Sequence, residues 1–78
     1  MIKPMYVVRD TMAGYKEPSL FPNDEVAERD FAISFKDHPL KDYYQLWKVG
    51  TYDTESGKVI GIEPELRMKG VDIVCQKN

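Results

Sequence analysis

The run Tyr43-Tyr44-Gln45-Leu46-Trp47-Lys48-Val49-Gly50-Thr51-Tyr52 concentrates aromatic and β-branched residues as no other part of the chain does, and such side chains pack best on a pleated strand. The next five residues, Asp53-Thr54-Glu55-Ser56-Gly57, carry turn chemistry with Gly57 suited to a positive φ. Lys58-Val59-Ile60-Gly61-Ile62 is therefore expected to return antiparallel. Alternation along the first strand sets Tyr44, Leu46 and Tyr52 on one face against Tyr43, Trp47, Val49 and Thr51 on the other. One face is expected to pack on a helix, which leaves the other apolar and unsatisfied.

That helix lies upstream. Asn23 is placed to cap it, Asp24 and Glu25 complement its dipole, and Pro39 ends it by forcing His38 out of helical geometry. Over Asp24 to Lys36, Ala27, Phe31, Ser34 and Phe35 share a face at i, i+4, i+7 and i+8, flanked by Val26 and Ile33. Glu25, Glu28, Arg29 and Lys36 point away, with Glu25 and Arg29 spaced for an i, i+4 pair. Before the helix, Met5-Tyr6-Val7-Val8 reads as a strand apolar on both parities, closed by a turn over Asp10 to Gly14. Pro18 and Pro22 disfavour pairing between Tyr15 and Pro22, so a connecting loop is expected there, with Leu20 and Phe21 folded back over the domain. From about residue 63 charges and Gly70 interrupt the apolar pattern; an irregular segment with a short last strand over Val71 to Cys75 is expected. The fold class is α+β: one helix on a small, mostly antiparallel sheet of three or four strands, in the order β-α-β-β and then a last short strand.

The chain has 78 residues, 42% of them hydrophobic and 31% charged, enough apolar material for one small domain and too much for a disordered tail. Its net charge of −2 gives no general attraction for phosphate polymers or anionic lipid. The single cysteine, Cys75, forms no intrachain disulfide, and no Cys/His spacing suits zinc. The N-terminus lacks the apolar centre of a signal peptide, and no apolar run approaches the roughly 20 residues of a membrane span. A soluble intracellular protein is expected.

Catalysis by a nucleophile needs a base and an orienting group beside it, and this chain offers one histidine and one cysteine. His38 is explained by the helix C-terminus and Cys75 by apolar packing. The glycines form no phosphate-binding loop, and the Asp24/Glu25 and Glu63/Glu65 pairs are explained by capping and by solvent. A non-enzymatic protein with no catalytic residues, no metal and no cofactor is expected. What remains is an interleaving of rings and cations: Lys41, Tyr43, Tyr44, Trp47, Lys48 and Tyr52, with Lys58 nearby. Single-stranded nucleic acid is held in this manner, by bases stacking on exposed rings while cations follow the backbone. The same residues also make an ordinary β core or a subunit interface.

Gly14-Tyr15, Pro18, Phe21, Asn23-Asp24, Ala27 and Arg29-Asp30-Phe31, followed by Leu46, Lys48, Gly50, Asp53 and Gly57, resemble the small nonstructural protein of gokushovirus-type microviruses, tailless phages with circular single-stranded DNA genomes. The likeness spans about Met5 to Ile62, with Asn-Asp-x-x-Ala-x-Arg-Asp-Phe as its most specific part. The resemblance implies a non-capsid protein made in the host bacterial cytoplasm, sometimes labelled DNA-binding, with a part in single-stranded genome synthesis or packaging. It brings no catalytic residues. Asn23, Asp24, Arg29 and Asp30 belong either to a capped, charge-paired helix start or to a partner contact, and Gly50 and Gly57 to backbone requirements. Two function classes stand: single-stranded DNA binding through the ring and lysine cluster, and a homo-oligomeric interaction module contacting phage or host replication or packaging proteins. A homo-oligomer is expected under either.

Overall fold

The two apolar runs become the central strands of one antiparallel sheet. A computed structural model describes residues 1–73. In chain order these form β1 (Ile2–Asp10), β2 (Gly14–Tyr15), β3 (Ser19–Leu20), α1 (Asp24–Phe35), β4 (Tyr44–Asp53) and β5 (Val59–Lys69), with 3-10 turns at Lys41–Tyr43 and Gly70–Asp72. The sheet is five-stranded in the order β2-β1-β4-β5, and β3 also pairs with β1. The α+β architecture of one helix on an antiparallel sheet holds; the strands are more numerous and differently ordered than the sequence suggests.

Helix α1 begins as its capping chemistry dictates: Asn23 is extended at φ −160°, and its side chain accepts from the Val26 amide at 2.9 Å. Ala27 and Phe31 are buried against Tyr6, Leu46 and Ile73, with Val8, Phe21, Phe35, Tyr44 and Met68 packed around them. Phe21 meets Tyr6 edge-on at 5.9 Å, so the loop before the helix closes one end of this core. The expected Glu25 to Arg29 pair does not form. The ion pairs of that helix run to the sheet instead, from Asp24 to Lys48 of β4 and from Glu28 to Arg67 of β5, each at 3.2 Å.

Three further differences from the sequence reading have local causes. The segment read as an unpaired loop forms β2 and β3, since Tyr15 and Leu20 find partners in Arg9 and Met5 while Pro18 and Pro22 stay outside both short strands. Strand β5 does not stop at Ile62 but runs through Pro64 to Lys69. It can do so because it is the last strand of the sheet and its register jumps between Glu65 and Gly61, so the missing proline N–H falls where the ladder is already broken. The strand expected over Val71 to Cys75 is replaced at its start by the Gly70–Asp72 turn, while Val74 and Cys75 lie outside the described residues. The ammonium of Lys41 donates to the carbonyls of Gly70 and Ile73, which turns the chain inward and delivers Ile73 to the core.

Register decides the faces. Paired residues share a face, and β1 pairs β4 as Pro4 with Thr51, Met5 with Gly50, Tyr6 with Lys48 and Val7 with Trp47. Val49 is therefore an extra residue, a bulge that inverts the alternation of β4 on either side of it. Tyr44, Leu46, Lys48 and Thr51 lie on the helix side. Trp47 and Tyr52 share the opposite side, so Tyr52 is not on the face of Tyr44 and Leu46 that simple alternation assigns it.

Candidate nucleic-acid interface

The side of the sheet away from α1 has no second layer among the described residues. Strand β1 contributes Lys3, Met5, Val7 and Arg9 to it, at strict period two. Their registered neighbours are Tyr15 of β2, Leu20 of β3, and Gln45, Trp47, Gly50 and Tyr52 of β4. Beyond β4 the register brings Val59, Gly61, Leu66 and Lys69 of β5 onto the same side. No aspartate or glutamate is among these registered residues, whereas Lys3, Arg9 and Lys69 are. The helix side is the reverse: Asp24, Glu25, Glu28 and Asp30 lie on α1 against a single Arg29. The registered open face is thus basic, while α1 is itself acidic and two of its four carboxylates are offset by Lys48 and Arg67.

The rings on this face are held in place by their neighbours. Tyr15 meets Trp47 edge-on at 6.1 Å, and the Arg9 guanidinium lies 5.3 Å from the centre of the Tyr15 ring. The indole N–H of Trp47 donates to Oε1 of Gln45 at 2.9 Å. An indole can only donate, so the Gln45 oxygen is fixed toward it and the Gln45 amide N–H groups are left for other acceptors. The face consequently presents rings, a guanidinium, two ammonium groups and an amide donor, chemistry suited to stacking bases and to accepting oxygens of phosphate or base edges.

The ring and lysine cluster named from sequence is divided by the sheet. Trp47 and Tyr52 are on the open face. Tyr44 is on the helix side, tilted against Phe35 at 4.7 Å and edge-on to His38 at 5.2 Å, with the Lys16 ammonium over its ring. Lys48 is also on the helix side, paired with Asp24 at 3.2 Å. Lys41 is bound to the carbonyls of the Gly70–Asp72 turn and Ile73, Tyr43 is exposed in the adjoining 3-10 turn, and Lys58 is exposed in the β4–β5 connection. Asn23 caps α1, while Arg29 and Asp30 are exposed on it. Sequence reasoning missed Lys3, Arg9, Tyr15, Gln45 and Lys69 as parts of a site. The odd-numbered series Lys3, Met5, Val7, Arg9 was the available signal, once the strand is carried to both its ends.

Asp24 is the electrostatic hinge between the layers. It accepts from the Tyr6 hydroxyl and from Lys48, and the Tyr6 hydrogen bond does most to hold its carboxyl below the ordinary carboxylate value. Burial, and then the same bond to Asp24, pushes the Tyr6 phenol well above its usual value. Among the described residues no group of three or more His, Cys, Asp or Glu could hold a metal ion, and no helix is long and apolar enough to cross a membrane.

No match was found among curated proteins or among solved structures. The family profile of the Phage ORF5 protein matches residues 3–73, a span that takes in the helix and the whole sheet except the first residue of β1. The chain belongs to the Phage ORF5 protein family.

Proposed function

We infer that this phage protein is a nonstructural accessory protein that binds single-stranded DNA on the open face of its sheet, and that it serves replication or packaging of a microvirus-type single-stranded genome in the host cytoplasm. The observation that carries this reading is the registered face itself: Tyr15, Trp47 and Tyr52 among Lys3, Arg9 and Lys69 with no carboxylate between them. An exposed Tyr15 beside the half-buried Trp47 and Tyr52 suits unstacked bases; a paired duplex keeps its π-faces to itself. The resemblance to gokushovirus nonstructural proteins supports the same context.

The intrinsic fluorescence of Trp47, the only tryptophan, tests it. Addition of an oligothymidylate is expected to quench it, and Trp47→Ala is expected to weaken binding of a labelled strand by about 5–100-fold, the value of one stacked base. Tyr43→Ala, off this face, is expected to leave affinity unchanged. An indole spectrum indifferent to DNA at high concentration rejects the reading.

A second reading rests on the apolar members of the same face. Leu20, Val59 and Leu66 are 42%, 61% and 39% exposed, which favours covering the face with a second copy of the chain. Sedimentation distinguishes the two: a monomer at all accessible concentrations rejects self-association, and a dimer that DNA dissociates shows that both use one surface.

A further inference from the structure

A concavity lies on the opposite side of the sheet, between α1 and the chain that leads into it. Its volume is about 150 Å³, and its floor is formed by Val8, Phe21, Phe31, Phe35 and Leu46. That volume, lined by such side chains, accommodates a benzene-sized group. The mouth is different in kind. Glu17 stands on one bank, in the connection between β2 and β3, and Asp30 and Ser34 stand on the other, on the exposed flank of α1.

Neither carboxylate is used by the fold. Among the described residues, the carboxylates of α1 that take part in ion pairs or side-chain hydrogen bonds are Asp24 and Glu28, and no such contact reaches Glu17 or Asp30. Glu25 adds another carboxylate to α1, whereas Asp24 is offset by Lys48. Two unpaired carboxylates over an apolar floor attract a group that is apolar at its tip and cationic beside it. They repel DNA, so this cleft and the basic face select for opposite charge.

We propose that the cleft between α1 and the β2–β3 connection is a docking site for a protein partner, taking a peptide segment in which a large apolar side chain stands next to Lys or Arg. The apolar side chain fills the floor; its cationic neighbour is held at the mouth by Glu17 and Asp30. The two faces of the protein would then hold different things, a nucleic acid on the sheet and a basic protein segment beside the helix. The cleft does not depend on the DNA reading, since it shares none of the residues of the open face except Val7, whose side chain is on the other side of β1.

Amide chemical-shift titration of the folded protein with short blocked peptides tests this directly. Acetyl-Phe-Arg-amide is expected to shift the resonances of Val8, Phe31 and Phe35. Acetyl-Phe-Glu-amide and acetyl-Ala-Arg-amide are each expected to bind about fivefold more weakly or worse, since one lacks the cation and the other the anchor. Asp30→Asn with Glu17→Gln removes the preference for Arg over Glu while keeping the spectrum of the fold. Ser34→Trp, an exposed helix position at the mouth, plugs the cleft and abolishes the shifts without altering binding of an oligonucleotide to the sheet. Equal affinity for the three peptides, shifts located elsewhere, or no shifts at all overturn the proposal, whatever the DNA titration shows.

Discussion

Asp24 joins the helix to the sheet by accepting from Tyr6 on β1 and Lys48 on β4, and its carboxyl is held below the ordinary range, chiefly by the Tyr6 hydroxyl. A depressed carboxyl contributes stability that is present above its unfolded value of about 3.9 and is lost as pH falls through the lower folded value. Tyr6→Phe removes the main cause. Denaturant titrations are expected to show a loss of about 1–2 kcal/mol at neutral pH, with a flatter acid limb than the wild type below about pH 4. An unchanged acid limb contradicts this role. Gly70 is the second residue on which the fold turns, because a Cβ there would run into the carbonyl oxygen of Lys41. Gly70→Ala is expected to cost about 1–3 kcal/mol in denaturant titrations by driving the two 3-10 turns apart.

At the scale of elements, the bulge at Val49 organises the candidate interface. It returns Thr51 to the helix side and puts Tyr52 beside Trp47, so the open face keeps its rings over most of the length of β4. Deleting Val49 removes the extra residue, so Gly50, Thr51 and Tyr52 keep the sides they already occupy and Tyr52 stays beside Trp47. The expected result is a folded protein by circular dichroism melting that keeps its DNA binding, whereas loss of binding in the folded variant contradicts the assignment of Val49 as the bulge residue. Helix α1 and its Asn23 cap were legible in the sequence because both rest on local chemistry: a capping side chain, a dipole and a period of 3.6. The β4 to β5 hairpin was legible for the same reason, with Gly57 at φ 74°. The two-residue strands were not legible, since they form only because β1 offers an edge, and neither was the course of β5 through Pro64, which depends on a register break. Within the site, Trp47 and Tyr52 could be named from their strand. Lys3, Arg9 and Lys69 could not be grouped with them, because three different strands carry these residues onto one face.

For the whole molecule the decisive property is the distribution of charge. A net charge of −2 argues against nucleic acid only if the charges are mixed; here the carboxylates of α1 and the cations of the open face are separated by the thickness of the sheet. The molecule measures 44 × 29 × 15 Å, so its flat dimension brings both fields close to solvent. At physiological salt the Debye length is about 8 Å, short enough for a bound strand to feel the near face more than the far one. Replacing Lys3, Arg9 and Lys69 by Gln is expected to remove the salt dependence of binding while leaving the fold intact, as a melting curve would show.

The most direct measurement is the anisotropy of a labelled single-stranded oligonucleotide titrated with the protein across a series of salt concentrations. Three cations following the phosphate chain give an expected slope of log affinity against log salt of about −2. Binding with that slope, lost in the triple Gln variant, supports the open face as the DNA site. No binding at low salt, or binding that ignores both salt and the three substitutions, contradicts it.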